Sequence, residues 1–200
     1  MNTNELVNFN YRAEMQTGAA NYTIGSSAGD SMNEKVCSDI CISNQCEIQN
    51  EQGRYSIYDI ANWFLLKTDM THKKLQKLCY YAQAWCYAIN DYRLIDTDFQ
   101  AWVHGPVSPA LWEKFKGFGY DTIRYCGDGD KISIKPEDVS LLERVWETYG
   151  DRTGNALEAL SHKETPWIET RKGYAEDEKC TKVISPELMR DYYRSIYVGA

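Results

Sequence analysis

The chain has 200 residues and a mass of 23.1 kDa, the size of one domain or of one domain with an extension. With 29 acidic and 22 basic residues it carries a formal charge of −7, and its apolar (43%) and charged (26%) fractions exclude collagen-like, wholly disordered and small disulfide-stapled proteins. No apolar run approaches the ~20 residues that span a bilayer. The start MNTNELVNFNYR lacks the basic-then-apolar pattern of a secretory leader, so the expectation is a cytoplasmic protein with no membrane partner.

Composition changes near Arg54. Residues 1–54 hold 7 acidic and 3 basic residues, eight Asn and no Trp. Residues 55–200 hold all six Trp and 13 of the 15 Tyr. Large aromatic side chains dominate the burial energy of a core, which assigns the packed domain to 55–200. Residues 1–54 read as a poorly packed or accessory extension. Cys37, Cys41 and Cys46 come nearest to a cluster, but they lack the paired C-x₂-C knuckles of zinc sites and a neighbouring His, so no metal is expected there.

The remaining chain predicts helices in series. Ile57, Ile60, Ala61, Phe64 and Leu65 make one helical stripe, with Ser56 placed to cap it. Thr71 opens the clearest helix, on which Leu75, Leu78, Cys79, Ala82, Cys86 and Ile89 form the apolar side. Lys73, Lys74, Gln76, Lys77, Tyr80, Gln83 and Tyr87 lie mostly off that side. Ser108-Pro109 starts a helix over about 109–117. Ile123 and Tyr125 face Ile132 and Ile134 across Gly127–Asp130, the pattern of a β-hairpin. Leu141 to Tyr149 mark a further helix ending at Gly150, and Ala156 to Leu160 a short one. Thr165-Pro166 and Ser185-Pro186 repeat the cap-then-proline start. The fold class is mainly α: a compact helical domain of about six helices with one small β-hairpin.

Standard catalytic signals are absent: no H-E-x-x-H, no G-x-S-x-G, no phosphate-binding glycine loop. His72, His104 and His162 each sit near a helix start or a loop, and a nucleophilic or metal site with Cys79 or Glu164 is the less economical reading. Lys73, Lys74, Lys77, Lys114 and Lys116 suggest a basic patch. Residues 55–200 nevertheless sum to −3, which disfavours nucleic acid, since duplex affinity comes chiefly from phosphate neutralisation. A solvated helix face, or one complementary to an acidic protein, fits better. The segment Trp102 to Trp112 is stiff and aromatic. Its two Trp side chains are expected in the core, with the His104-Gly105-Pro106 tip exposed.

These residues resemble a known family. Asp59-Ile-Ala-Asn-Trp-Phe-Leu65, Thr71-His-Lys-Lys-Leu-Gln-Lys-Leu-Cys-Tyr-Tyr-Ala-Gln-Ala-Trp85, Ala101-Trp-Val-His-Gly-Pro-Val-Ser-Pro109, Leu111-Trp-Glu-Lys-Phe-Lys116 and Leu160-Ser-His-Lys-Glu-Thr-Pro-Trp167 follow the order and spacing of the Panacea antitoxin domain, typified by SocA-like and phage-associated GepA-like proteins. The resemblance covers about 57–197. It implies a cytoplasmic helical protein that is not an enzyme, needs no cofactor or metal, and neutralises a cognate protein toxin by direct contact. The resemblance also leaves room for a proteolytic adaptor that delivers the toxin to a protease, and the lysine patch keeps a nucleic-acid-binding regulator as a less favoured alternative.

On this reading the partner-binding surface is the polar side of the 71–89 helix with the adjoining turn: Lys73, Lys74, Gln76, Lys77, Tyr80, Gln83, His104, Gly105 and Pro106. Trp102, Trp112, His162, Pro166 and Trp167 support it.

Overall fold

A computed structural model describes residues 52–125 and 133–197. Residues 1–51 lie outside it, and with them Cys37, Cys41, Cys46 and almost all of the expected extension.

Helix α1 (Ile57–Lys67) begins as its sequence predicts. Ser56 Oγ accepts from the Tyr58 amide, and Asp96 Oδ1 accepts from the Ile57 amide at 2.9 Å. The stripe from Ile57 to Leu65 is buried. Strand β1 (Met70–Thr71) leads into α2 (His72–Asn90), capped by Thr71 and ended by Asp91 in the left-handed region at φ 57°. There follow β2 (Gln100–Trp102), β3 (Gly105–Val107), α3 (Pro109–Phe115) with a 3-10 turn over Lys116–Phe118, and β4 (Thr122–Ile123). Helices α4 (Pro136–Tyr149), α5 (Gly154–Ser161), α6 (Thr165–Thr170) and α7 (Pro186–Ser195) complete the chain. The domain is mainly α, with two antiparallel two-stranded ladders among the described residues.

Helix α2 is the hub, in contact with α1, α3, α4, α5, α7 and β3. Its residues are buried without a break from Leu75 to Ala88. Aromatic rings close the core around it. Tyr81 stacks on Tyr149 with centroids 4.0 Å apart, Trp85 Nε1 donates to Tyr149 Oη at 3.0 Å, and Tyr193 of α7 meets Trp85 edge-on.

Two expectations are corrected, on the off-stripe side of α2 and on the start of α6. The off-stripe side of α2 is interior, because neighbouring elements cover it on every side and supply partners for its polar groups. The described hairpin is β2–β3, with Trp102 paired to Gly105. Ile123 pairs with Met70 across β1–β4, and the expected hairpin across Gly127–Asp130 to Ile132 lies outside the described residues. Helix α4 starts at Pro136, ahead of its apolar stripe, with Lys135 as its cap residue. Helix α6 starts one residue early: Glu164 is the cap position and Thr165 the first helical residue.

Candidate functional site

The segment Gln100–Val107 turns back on itself through Val103 and His104. Gly105 sits at φ +91°, a conformation that side chains disfavour. Two carbonyls flank the glycine, and both point inward. Lys77 Nζ donates to His104 O at 2.6 Å and to Pro106 O at 3.0 Å. Burial pushes the Lys77 ammonium down to about 7, against the upward pull of Glu158. A neutral amine retains two N–H groups, enough for both carbonyls.

One residue earlier, the Gln76 amide pairs with both backbone groups of Ser108. Its Oε1 accepts from the Ser108 amide at 2.9 Å and its Nε2 donates to Ser108 O at 3.1 Å. These bonds fix the amide orientation, so its second N–H faces His72 Nε2 at 3.1 Å. His72 is therefore an acceptor there, and burial followed by the nearby Lys77 lowers its pKa. Two turns on, Gln83 Oε1 accepts from the Ile95 amide at 2.7 Å. Three buried polar side chains of α2 thus bind the backbone of the segment 95–108.

Helix α6 and the residue after it hold the hairpin from the other side. Trp167 Nε1 donates to Trp102 O at 2.9 Å, and Arg171 Nη1 donates to Ala101 O at 3.0 Å. The other end of the Arg171 guanidinium donates to the carbonyls of Ala175, Glu176 and Glu178. His162 stacks on Trp167 at 4.0 Å, and Pro166 is buried in the first turn of α6. Glu164, almost fully buried, accepts from Tyr193 Oη at 2.7 Å; burial pushes its carboxyl up to about 7.

The outer side of the hairpin is exposed. The His104 side chain is 73% exposed, and its Nδ1 lies 2.8 Å from Glu158 Oε1. Lys73 donates to the other Glu158 oxygen and to Asn155. Burial pulls the Glu158 carboxyl up, but the hydrogen bonds from Lys73 and His104 outweigh it and hold its pKa below the usual range. The Trp102 and Trp112 rings meet at 5.6 Å, with Lys116 above Trp112.

The predicted site therefore divides. His104 is exposed, and Lys73 and Lys74 are half-buried, with Lys74 Nζ donating to Gly150 O. Gln76, Lys77, Tyr80, Gln83, Gly105 and Pro106 are buried and reach no solvent-side partner in the folded chain. Of the two tryptophans expected in the core, Trp112 is 37% exposed and Trp102 is half-buried. The three histidines have separate partners, in Gln76, Glu158 and Trp167. Sequence reasoning missed Glu158 and Arg171, because charged residues on short helices carry no periodic signal. Among the described residues no group of three or more His, Cys, Asp or Glu is placed to hold a metal ion. Cys79, Cys86 and Cys180 are buried free thiols, and burial raises the pKa of Cys79 and Cys86. Two shallow clefts, of about 150 Å³ beside Arg54 and Tyr92 and about 200 Å³ beside Lys73 and Tyr120, fall below the few hundred Å³ of ordinary ligand pockets.

No curated protein and no solved structure matches the chain. One family model does match, described as "Antitoxin SocA-like, Panacea domain", over residues 75–168. That span is just under half of the chain. It runs from Leu75 in α2 through the hairpin and the helices α3 to α5, and ends at Ile168 in α6. It contains the Gln76, Lys77 and Trp167 contacts to the hairpin backbone. Over residues 75–168 the chain is thus similar to the SocA-like Panacea antitoxin domain.

Proposed function

We propose that the chain is the antitoxin of a toxin–antitoxin pair, that it neutralises a protein toxin by direct contact, and that it carries out no reaction of its own. The Panacea domain supports the class. One observation supports the contact surface: the exposed Trp112 ring, packed on the half-buried Trp102, stands beside a hairpin whose backbone is bonded from α2 on one side and from Trp167 and Arg171 on the other. A surface already held rigid loses little entropy on binding, and Trp is enriched among the anchors of protein interfaces. His104, Lys73 and Glu158 are the polar rim of this face. Gln76, Lys77, Tyr80, Gln83, Gly105 and Pro106 act beneath it as its support.

Co-expression with the product of the adjoining reading frame tests the reading. Growth arrest by that product, relieved by this chain and restored by W112A, is the expected result. Arrest that continues in the presence of the natural chain overturns it. Relief that persists in a protease-deficient host supports direct neutralisation, whereas relief lost there supports delivery to a protease.

A further inference from the structure

Helix α7 is fastened to the domain at a group that titrates. Met189 and Tyr193 are its buried residues. The Tyr193 ring meets Tyr80, Tyr81 and Trp85 of α2, and its hydroxyl donates to Glu164 at 2.7 Å. One residue on, Arg194 Nε donates to Ala88 O at 2.8 Å, and the guanidinium pairs with Asp91.

Glu164 stands at the cap position of α6, but its side chain makes no cap bond to that helix. It is 4% exposed and turns instead toward hydroxyls. Tyr81 Oη lies 3.4 Å from each carboxyl oxygen. The titratable groups around it are Tyr80 and Tyr81 from α2, Tyr149 from α4, and Tyr192 and Tyr193 from α7. Tyr149 also feels the charge of Arg152, just past α4. From α5 comes the uncharged Ser161, whose carbonyl accepts from the Glu164 amide at 3.2 Å.

A protonated Glu164 suits this cage, donating its O–H to Tyr81 and accepting from Tyr193. An ionised Glu164 keeps two hydroxyl donors but stands in dry surroundings, where a carboxylate is costly. Burial outweighs the tyrosine hydrogen bonds and holds the carboxyl up at about 7. Letting water in relieves that cost, and α7 is the neighbour that moves most easily. Helix α2 is the hub of the domain, and α6 is bonded to the hairpin through Trp167. Helix α4 buries five residues against two for α7, and one of those two is Tyr193.

We propose that Glu164 and Tyr193 form a pH-sensitive latch: while Glu164 carries a proton α7 stays closed on α2, and ionisation of Glu164 lets α7 open as a unit, uncovering Tyr80, Tyr81 and Trp85, before the rest of the domain unfolds. The latch does not depend on the antitoxin reading.

Hydrogen–deuterium exchange of the full chain from pH 5 to pH 8, corrected for the intrinsic amide rate at each pH, tests it. Protection of the α7 amides (188–195) is expected to fall roughly tenfold per pH unit between pH 5 and pH 7 and to level off above. At every pH it is expected to lie below the protection of the central α2 amides (79–86), the mark of a local opening. In E164Q the α7 protection is expected to be independent of pH. Flat α7 protection in the natural chain overturns the proposal. So does α7 protection equal to that of α2 at every pH, which assigns the response to global unfolding. Both of these are read on the natural chain alone, whether or not E164Q folds. A slope retained in E164Q overturns it as well.

Discussion

A Cβ on Gly105 would lie 2.6 Å from Lys77 Nζ, so the glycine and the lysine share a space that only one of them fills. Ser161 Oγ closes the same space at 2.8 Å. With φ at +91°, Gly105→Ala is strained twice over, by its backbone and by the buried amine. The expected cost is about 1–3 kcal/mol in urea unfolding. An unchanged midpoint would show that the hairpin moves away freely from α2.

Lys77→Met keeps the apolar stem and removes both donors. His104 O and Pro106 O then lose their donor, the second of them at a buried contact. A loss of about 1–3 kcal/mol is expected. The backbone amides of 103–107 should exchange faster while those of α4 stay protected. Uniform loss of protection would instead make Lys77 a general core residue.

Glu164 sets a pH dependence. Its folded pKa, about 7, lies above the ordinary carboxylate value of 4.5, so the folded chain binds the proton more tightly than the unfolded one. Stability from this group is full below pH 4.5 and declines as pH rises to 7. A shift of this size corresponds to roughly 3 kcal/mol. Glu164→Gln should flatten the decline between pH 4.5 and 7, as read by thermal unfolding across that range. His72 runs the other way. Its pKa is lowered, so its share is present above 6.5 and is lost on acidification. A retained slope in Glu164→Gln would assign the pH response to another group.

Trp112 separates binding from folding. Its ring is partly exposed and, among the described residues, its aromatic and cationic contacts are Trp102 and the Lys116 ammonium. Trp112→Ala is expected to change unfolding stability by under about 1 kcal/mol and toxin affinity by about 2 kcal/mol or more, which is thirtyfold. Isothermal titration beside urea unfolding gives both numbers. Equal losses in the two would return Trp112 to a packing role.

The local signals were in the sequence. Ser56, Thr71 and Ser185 cap the helices they precede, and Pro109, Pro166 and Pro186 lie in the first turns of theirs, because capping and proline chemistry act within a few residues. The stripe of α2 was legible for the same reason. The other side of that helix was not. A polar side chain reads as solvent-facing until a buried partner is known, and the partners of Gln76, Lys77 and Gln83 are backbone groups 12 to 32 residues away. Those groups meet the helix only once β2, β3 and α6 have folded against it. Tertiary structure alone therefore decided that six of the nine residues of the expected contact surface are buried in or beneath the hairpin, and that Trp112, expected inside, stands at the surface.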